Sequence, residues 1–365
     1  QLVHHGIWDM DIPCAPILVD LVVNGRTVKA VAQPTKQAFL YVFNRETGEP
    51  IWPIVERPVE KGDVPNEWYS PTQPFPTKPP AYARQGSSVD DLIDFTPELR
   101  AEAEKLVSRY KIGPIFTPPV VSKLEGPLAT LTLAFGATNW AGGSYDPENH
   151  TVYVYSSSSM AQLALVPTPD AKMSDMPFIQ GNALAGARRT GGAGSEAGGG
   201  RTTVAGAPPA PAAAAADEGG GAALTVQGLP ISKPPYGQIS AINLDKGDIT
   251  WQVAHGETPD AIRNHPLLKG LNIPRTGRNG IIGTLVTKTL VVAGEPGYFT
   301  TPSGQRGAML RAYDKATGKE LGAVYMPAPQ SGSPMTYMLN GKQYILLAIG
   351  GGNHPGELVA FRLPG

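Results

Sequence analysis

The stretch AINLDKGDITW, residues 241–251, is a short apolar strand, a polar turn and a second strand that ends on tryptophan. Two further segments align on it: VFNRETGEPIW at 42–52 and AYDKATGKELG at 312–322. In each, Asn or Asp stands third and Gly seventh, residue types that tolerate left-handed backbone angles and so suit a tight turn between strands. Trp52 and Trp251 close the first two copies, and Gly322 stands in that place in the third.

A strand-turn-strand unit cannot bury both faces alone, so its repetition implies stacked sheets, and radial stacking of such sheets makes a β-propeller. The rest of the chain agrees. Gly 43 and Pro 37 are abundant among 365 residues while only 17% are charged, a balance that favours many short strands joined by turns, hence an all-β class. PILVDLVV at 16–23, the Asn24-Gly25 pair and RTVKAVAQP at 26–34 form a hairpin signal, followed by QAFLYVFN at 37–44. Strands recur at LATLTLAFGATNW, HTVYVYSSS, GQISAINL, GIIGTLVTKTLVVAG, GAMLRAYD and QYILLAIGG. These clusters amount to about four to five sheets in a single domain over residues 1–365, short of a closed eight-sheet ring.

Two insertions interrupt the pattern. Residues 53–125 are proline-rich; the path RPVEKGDVPNEWYSPTQPFPTKPP reads as a long ordered surface loop, because proline supplies no ladder donor. One helix follows at 96–112, with Thr96 as N-cap, Pro97 in the first turn, Gly113 as the stop and Leu99, Ala103, Leu106 and Tyr110 on one face. Residues 186–222 are rich in Gly, Ala and Pro with little to bury, so disorder is expected there.

The formal net charge of -1 and the absence of a basic stripe exclude a broad nucleic-acid footprint. Cys14 is the single cysteine, so no internal disulfide and no thiolate metal cluster can form. No run is long and apolar enough to span a membrane, and the first residues lack the charged and apolar regions of a signal peptide.

The stretch HHGIWDMDIPCAPILVDL, together with PTKQAFLYVFNRETG, resembles the corresponding part of dehydrogenases of the glucose dehydrogenase type that use pyrroloquinoline quinone (PQQ). The repeats resemble the tryptophan-docking motif of the same quinoproteins. That resemblance implies an eight-bladed propeller of which this chain is the C-terminal portion, with Asp9 of the Trp8-Asp9 pair as catalytic base and Lys36 bonding the quinone oxygens. Alcohol oxidation needs the hydroxyl proton removed as hydride leaves for the quinone, which a carboxylate in reach can do, while an ammonium stabilises charge on the quinone oxygen. FGATNWAGGSYDP, later in the chain, is similar to the family segment whose Asn and Trp contact the cofactor, here Asn139 and Trp140.

The resemblance further implies oxidation of an aldose sugar or alcohol, electron transfer to ubiquinone or cytochrome c, a periplasmic setting, and Ca2+ or another metal held mostly by upstream residues. No metal ligand is assigned in this chain. Asp9 and Asp11 share a face if the segment is extended and could meet a cation; a solvated turn is the alternative. At least one of His4 and His5 is expected to be structural, Trp8 to pack in the core, and Cys14 to be a small buried apolar residue. A non-catalytic propeller scaffold carrying the same repeats is the alternative function.

Overall fold

The computed structural model describes residues 1–133, 136–172, 174–187, 224–301, 303–352 and 354–362. Among the described residues four antiparallel sheets follow one another along the chain, beside a five-stranded sheet built around Ala161–Pro167 and two two-stranded ribbons. The first joins Ile17–Val23, Arg26–Pro34 and Leu40–Asn44. Its hairpin turns on Asn24 and Gly25, both at positive φ (51° and 74°), the geometry that matches the right-handed twist of the flanking strands. The second runs Gly143–Asp146, Thr151–Ser157, Gly237–Asn243 and Asp248–Ala254, each strand beside its predecessor. The third is built around Arg306–Asp314, flanked by Leu290–Gly294 and Glu320–Met326, and the fourth joins Gln330–Leu339, Lys342–Gly351 and His354–Arg362.

The period-two alternation of the second sheet explains how the sheets stack. Val152 and Val154 bury against Leu21, Ala30 and Leu40 of the first sheet, while Tyr153 and Tyr155, on the opposite face, bury against Val291, Ala293 and Tyr313 of the third. Val292, Leu310 and Met326 of the third sheet then pack against Leu347 and Ile349 of the fourth. Each buried Val, Leu, Ile or Met there contributes roughly 1.5–3 kcal/mol, so the interfaces between sheets hold a large part of the core.

The two repeat tryptophans sit at these interfaces. Gly247 and Gly318 lie so close under Trp52 and Trp251 that an added Cβ would stand 2.8 and 2.7 Å from the rings. Both glycines have positive φ, 67° and 72°, so the turn of one sheet offers a bare left-handed backbone to the indole of the sheet before it. Trp251 Nε1 also donates to the Lys315 carbonyl at 3.1 Å.

Three expectations change. The proline-rich path is not wholly loop: Ile54–Pro58 pairs with Thr72–Pro76 in a two-stranded ribbon, whose free outer edges accept prolines that a central strand could not. The helix runs Pro97–Val107 and stops before 112, because the backbones of Arg109 and Lys111 turn away to bond with Leu128, Ala129 and Leu131. Its buried stripe is therefore Leu99, Ala103 and Val107, with Leu106 and Tyr110 only partly buried. Thr96 caps it as expected, its hydroxyl accepting from Leu99 N at 3.2 Å. The Gly/Ala/Pro-rich insertion lies, from residue 188 to 222, outside the described residues.

Candidate functional site

In an antiparallel meander the chain enters the first strand at the same end at which it leaves the second. The segment before Ile17, the turn after Pro34 and the turn before Gly143 accordingly meet at one end of the sheets. Asp9, Lys36, Asn139 and Trp140, the site residues expected from the sequence, fall in those three pieces.

Lys36 is held in a tight turn. Ala38 N donates to the Thr35 carbonyl at 3.1 Å, Ala38 takes a positive φ of 64°, and the Thr35 hydroxyl donates to the Phe39 carbonyl at 2.9 Å. The Lys36 side chain is only 7% exposed, yet its ammonium is well partnered: 2.5 Å to Asp11 Oδ1, 3.2 Å to the Asp9 carbonyl and 3.6 Å to Asp9 Oδ2. Both carboxylates are more than half exposed, so the cation faces outward through the acids. Asp9 sits at a φ of 56°, a left-handed angle that aspartate tolerates better than most residues. Partial burial pushes its carboxyl above the usual carboxylate range; the Lys36 cation opposes that shift and the neighbouring Asp11 charge adds to it.

The turn bearing Asn139 and Trp140 is bonded directly to this cluster. Ala137 N donates to the Lys36 carbonyl at 3.0 Å, and the Cys14 thiol lies 3.4 and 3.0 Å from the Thr138 and Asn139 carbonyls. Cys14 is thus buried as expected but polar in its role, and burial pushes the thiol up to about 12, so it stays protonated. Asn139 Oδ1 accepts from Trp140 N at 2.7 Å. The Trp140 ring is 52% exposed and lies along Gly332 of the fourth sheet, where an added Cβ would stand 3.2 Å from it. Trp8 is buried and donates to the Thr117 carbonyl at 2.9 Å.

Neither histidine is arranged as a ligand. His4 Nε2 pairs with Glu56 at 2.9 Å while its backbone bonds the Gln73 side chain, and His5 Nε2 pairs with Glu67 at 2.9 Å. Among the described residues no group of three or more His, Cys, Asp or Glu is arranged to hold a metal ion. Asp9 and Asp11 do share a cation, but it is the Lys36 ammonium.

The cluster is chemically a proton acceptor beside a buried cation, with an amide and an exposed indole on the adjoining turn. Those groups suit a flat, carbonyl-bearing molecule with a polar edge. Gln37, fully buried next to Lys36, adds an acceptor: its Oε1 has no partner among the described residues, although its Nε2 reaches the Met10 carbonyl at 3.4 Å. Nothing near Gln37 in the chain distinguishes it from a loop residue, so the sequence did not single it out.

The family described as "PQQ: Glucose/ethanol/alcohol dehydrogenase, beta-propeller domain" matches residues 1–345, and the chain belongs to it. That family is one of PQQ-dependent oxidoreductases. Among its relatives, a probable quinate dehydrogenase (quinone) of Xanthomonas campestris pv. juglandis is 29% identical over 100% of this chain and 43% of its own length. The quinoprotein glucose dehydrogenase of Escherichia coli (strain K12) is 28% identical over 100% of this chain and 42% of its own length. The chain thus spans less than half the length of these curated relatives. A solved quinohemoprotein alcohol dehydrogenase from Comamonas testosteroni superposes with a TM-score of 0.48 at 19% identity, covering 97% of this chain and 38% of that one.

Proposed function

We propose that the protein works as a PQQ-dependent dehydrogenase that oxidises an aldose sugar or an alcohol, with Asp9 as the base. The observation that carries this reading is the convergence of Asp9 and Asp11 on the buried Lys36 ammonium at one end of the sheets. Asp9 Oδ2, half exposed and 3.6 Å from that ammonium, is kept ionised by Lys36, takes the hydroxyl proton of the substrate and afterwards releases it to water, which restores the carboxylate. Lys36, Asn139 and Trp140 hold and orient the cofactor: a cation for its oxygens, an amide for its polar edge and an indole for its apolar surface. PQQ, when bound, supplies quinone carbonyls that accept two electrons from the substrate.

The finer architecture belongs to the same proposal. The four sheets are successive blades of one partial ring over residues 1–365, with residues 53–125 and 186–222 as insertions, and Trp52 and Trp251 act as docking residues over Gly247 and Gly318. Electrons pass to ubiquinone or a cytochrome c, in the periplasm. Any Ca2+ or other metal takes its ligands mostly from outside this chain.

The Lys36 ammonium already has carboxylate partners within the chain, which favours a second reading, a non-catalytic propeller scaffold in which the cluster is only a lock. Adding PQQ with Ca2+ to the intact gene product separates the two. The enzyme quenches its tryptophan fluorescence and reduces a redox dye, and Asp9→Asn lowers dye reduction by about 10²–10⁴-fold, the contribution of a general base, while leaving the quench in place. Absence of any quench supports the scaffold.

A further inference from the structure

The loop between Pro58 and Thr72 is fixed at several points, and still presents a large apolar ring to solvent. Val59 N bonds the Pro71 carbonyl, Lys111 pairs with Glu60 at 2.5 Å, and Val121 N donates to Asp63 at 3.0 Å. Tyr69 folds inward, its ring covering Gly62 and its hydroxyl accepting from Val64 N at 3.1 Å. Trp68 is nevertheless 58% exposed.

Trp68 is also braced from the N-terminal segment. The His5 ring stands edge-on to the indole, with centroids 4.5 Å apart at 83°. Glu67 Oε1 holds both partners, 2.9 Å from His5 Nε2 and 2.8 Å from Trp68 N. His5 takes a φ of 45°, so the backbone itself is bent to bring the ring there. His5 and Asp9 flank the buried Trp8, and the reach of the chain keeps their Cα atoms within about 14 Å.

We infer that Trp68, positioned by His5 and Glu67, is a substrate-binding platform that stacks on the apolar face of a cyclic polyol, a sugar or cyclitol ring extending outward from Asp9. A flat indole fixed in advance loses little entropy on stacking, and the polar groups of His5 and Glu67, each 37% exposed, line its margin for the ring hydroxyls. A short acyclic alcohol offers no ring face to stack on Trp68. The inference rests on the reading of Asp9 as the reaction centre, but binding can be measured without turnover.

The test titrates the intact protein, without PQQ, with methyl glucoside and separately with glycerol, following tryptophan fluorescence and saturation-transfer NMR. Methyl glucoside is expected to bind, Trp68→Ala to weaken it about tenfold, the order of one aromatic contact, and Trp68→Phe to retain most of the affinity; glycerol is unaffected by either change. Glu67→Gln, which loosens the brace, is expected to weaken methyl glucoside by a smaller factor. Unchanged melting of the exposed Trp68→Ala variant excludes misfolding. The inference is overturned if methyl glucoside does not bind, if Trp68→Ala leaves its affinity unaltered, or if only a free quinone competes for the indole. Glucoside binding that depends on Trp68 in a protein that reduces no dye would instead overturn the enzymatic reading alone.

Discussion

Lys36 controls two acids unequally. It touches Asp11 through the side chain and Asp9 through both the main-chain carbonyl and the carboxylate, so each acid feels the other through the shared cation. A base must be ionised to accept a proton, so turnover should rise with pH through the titration of Asp9. Asp11 raises the Asp9 titration and Lys36 lowers it. Asp11→Asn should therefore move the acid limb of the rate profile to lower pH, and Lys36→Met should move it to higher pH, as read from dye reduction across pH. If Asp11→Asn moves the limb upward, the assignment of Asp9 as base is wrong. Of this cluster, the acids and the lysine were legible as candidates only through the family pattern. Their contacts were not, because residues 25 and 27 positions apart meet only once the hairpin has formed.

At the scale of elements, the turn glycines do more than bend the chain. Gly318 combines a positive φ of 72° with a Trp251 ring only 2.7 Å from where its Cβ would lie. Gly318→Val should cost about 2–4 kcal/mol, combining left-handed backbone strain with overpacking, and lower the urea midpoint with an unchanged slope. A change below about 0.5 kcal/mol, the level of ordinary surface substitutions, would mean that this contact between sheets is not stabilising. His255 reinforces the same interface, its two ring nitrogens facing the Tyr313 hydroxyl at 2.8 Å and the Gly294 carbonyl at 3.0 Å. Burial holds its titration down to about 3, so it stays neutral there at physiological pH. The repeat made the turns and the tryptophans visible in the sequence. It gave no hint of His255, whose partners lie 58 and 39 positions away.

Across the whole molecule, protection should follow the stacking. The second sheet is covered on both faces, whereas the fourth exposes Met335, Met338, Leu339 and Leu358. Hydrogen exchange is therefore expected to be slowest at Val152–Tyr155 and Ile239–Ile242 and fastest, among the four sheets, in His354–Arg362. Uniform protection would indicate that the sheets open as a single cooperative unit.

Strand content, the turn positions and the N-cap of the helix were set by local chemistry: period-two alternation, residues that tolerate left-handed angles, and a hydroxyl placed before a proline. The sequence by itself determined these because each depends on neighbours a few positions apart. The tertiary structure alone decided that the proline path pairs as a ribbon, that the helix ends at Val107, that the Cys14 thiol bonds the Asn139 turn and that His5 braces Trp68. Each of those depends on which distant backbone groups and side chains meet when the sheets stack, a condition satisfied only in the assembled fold.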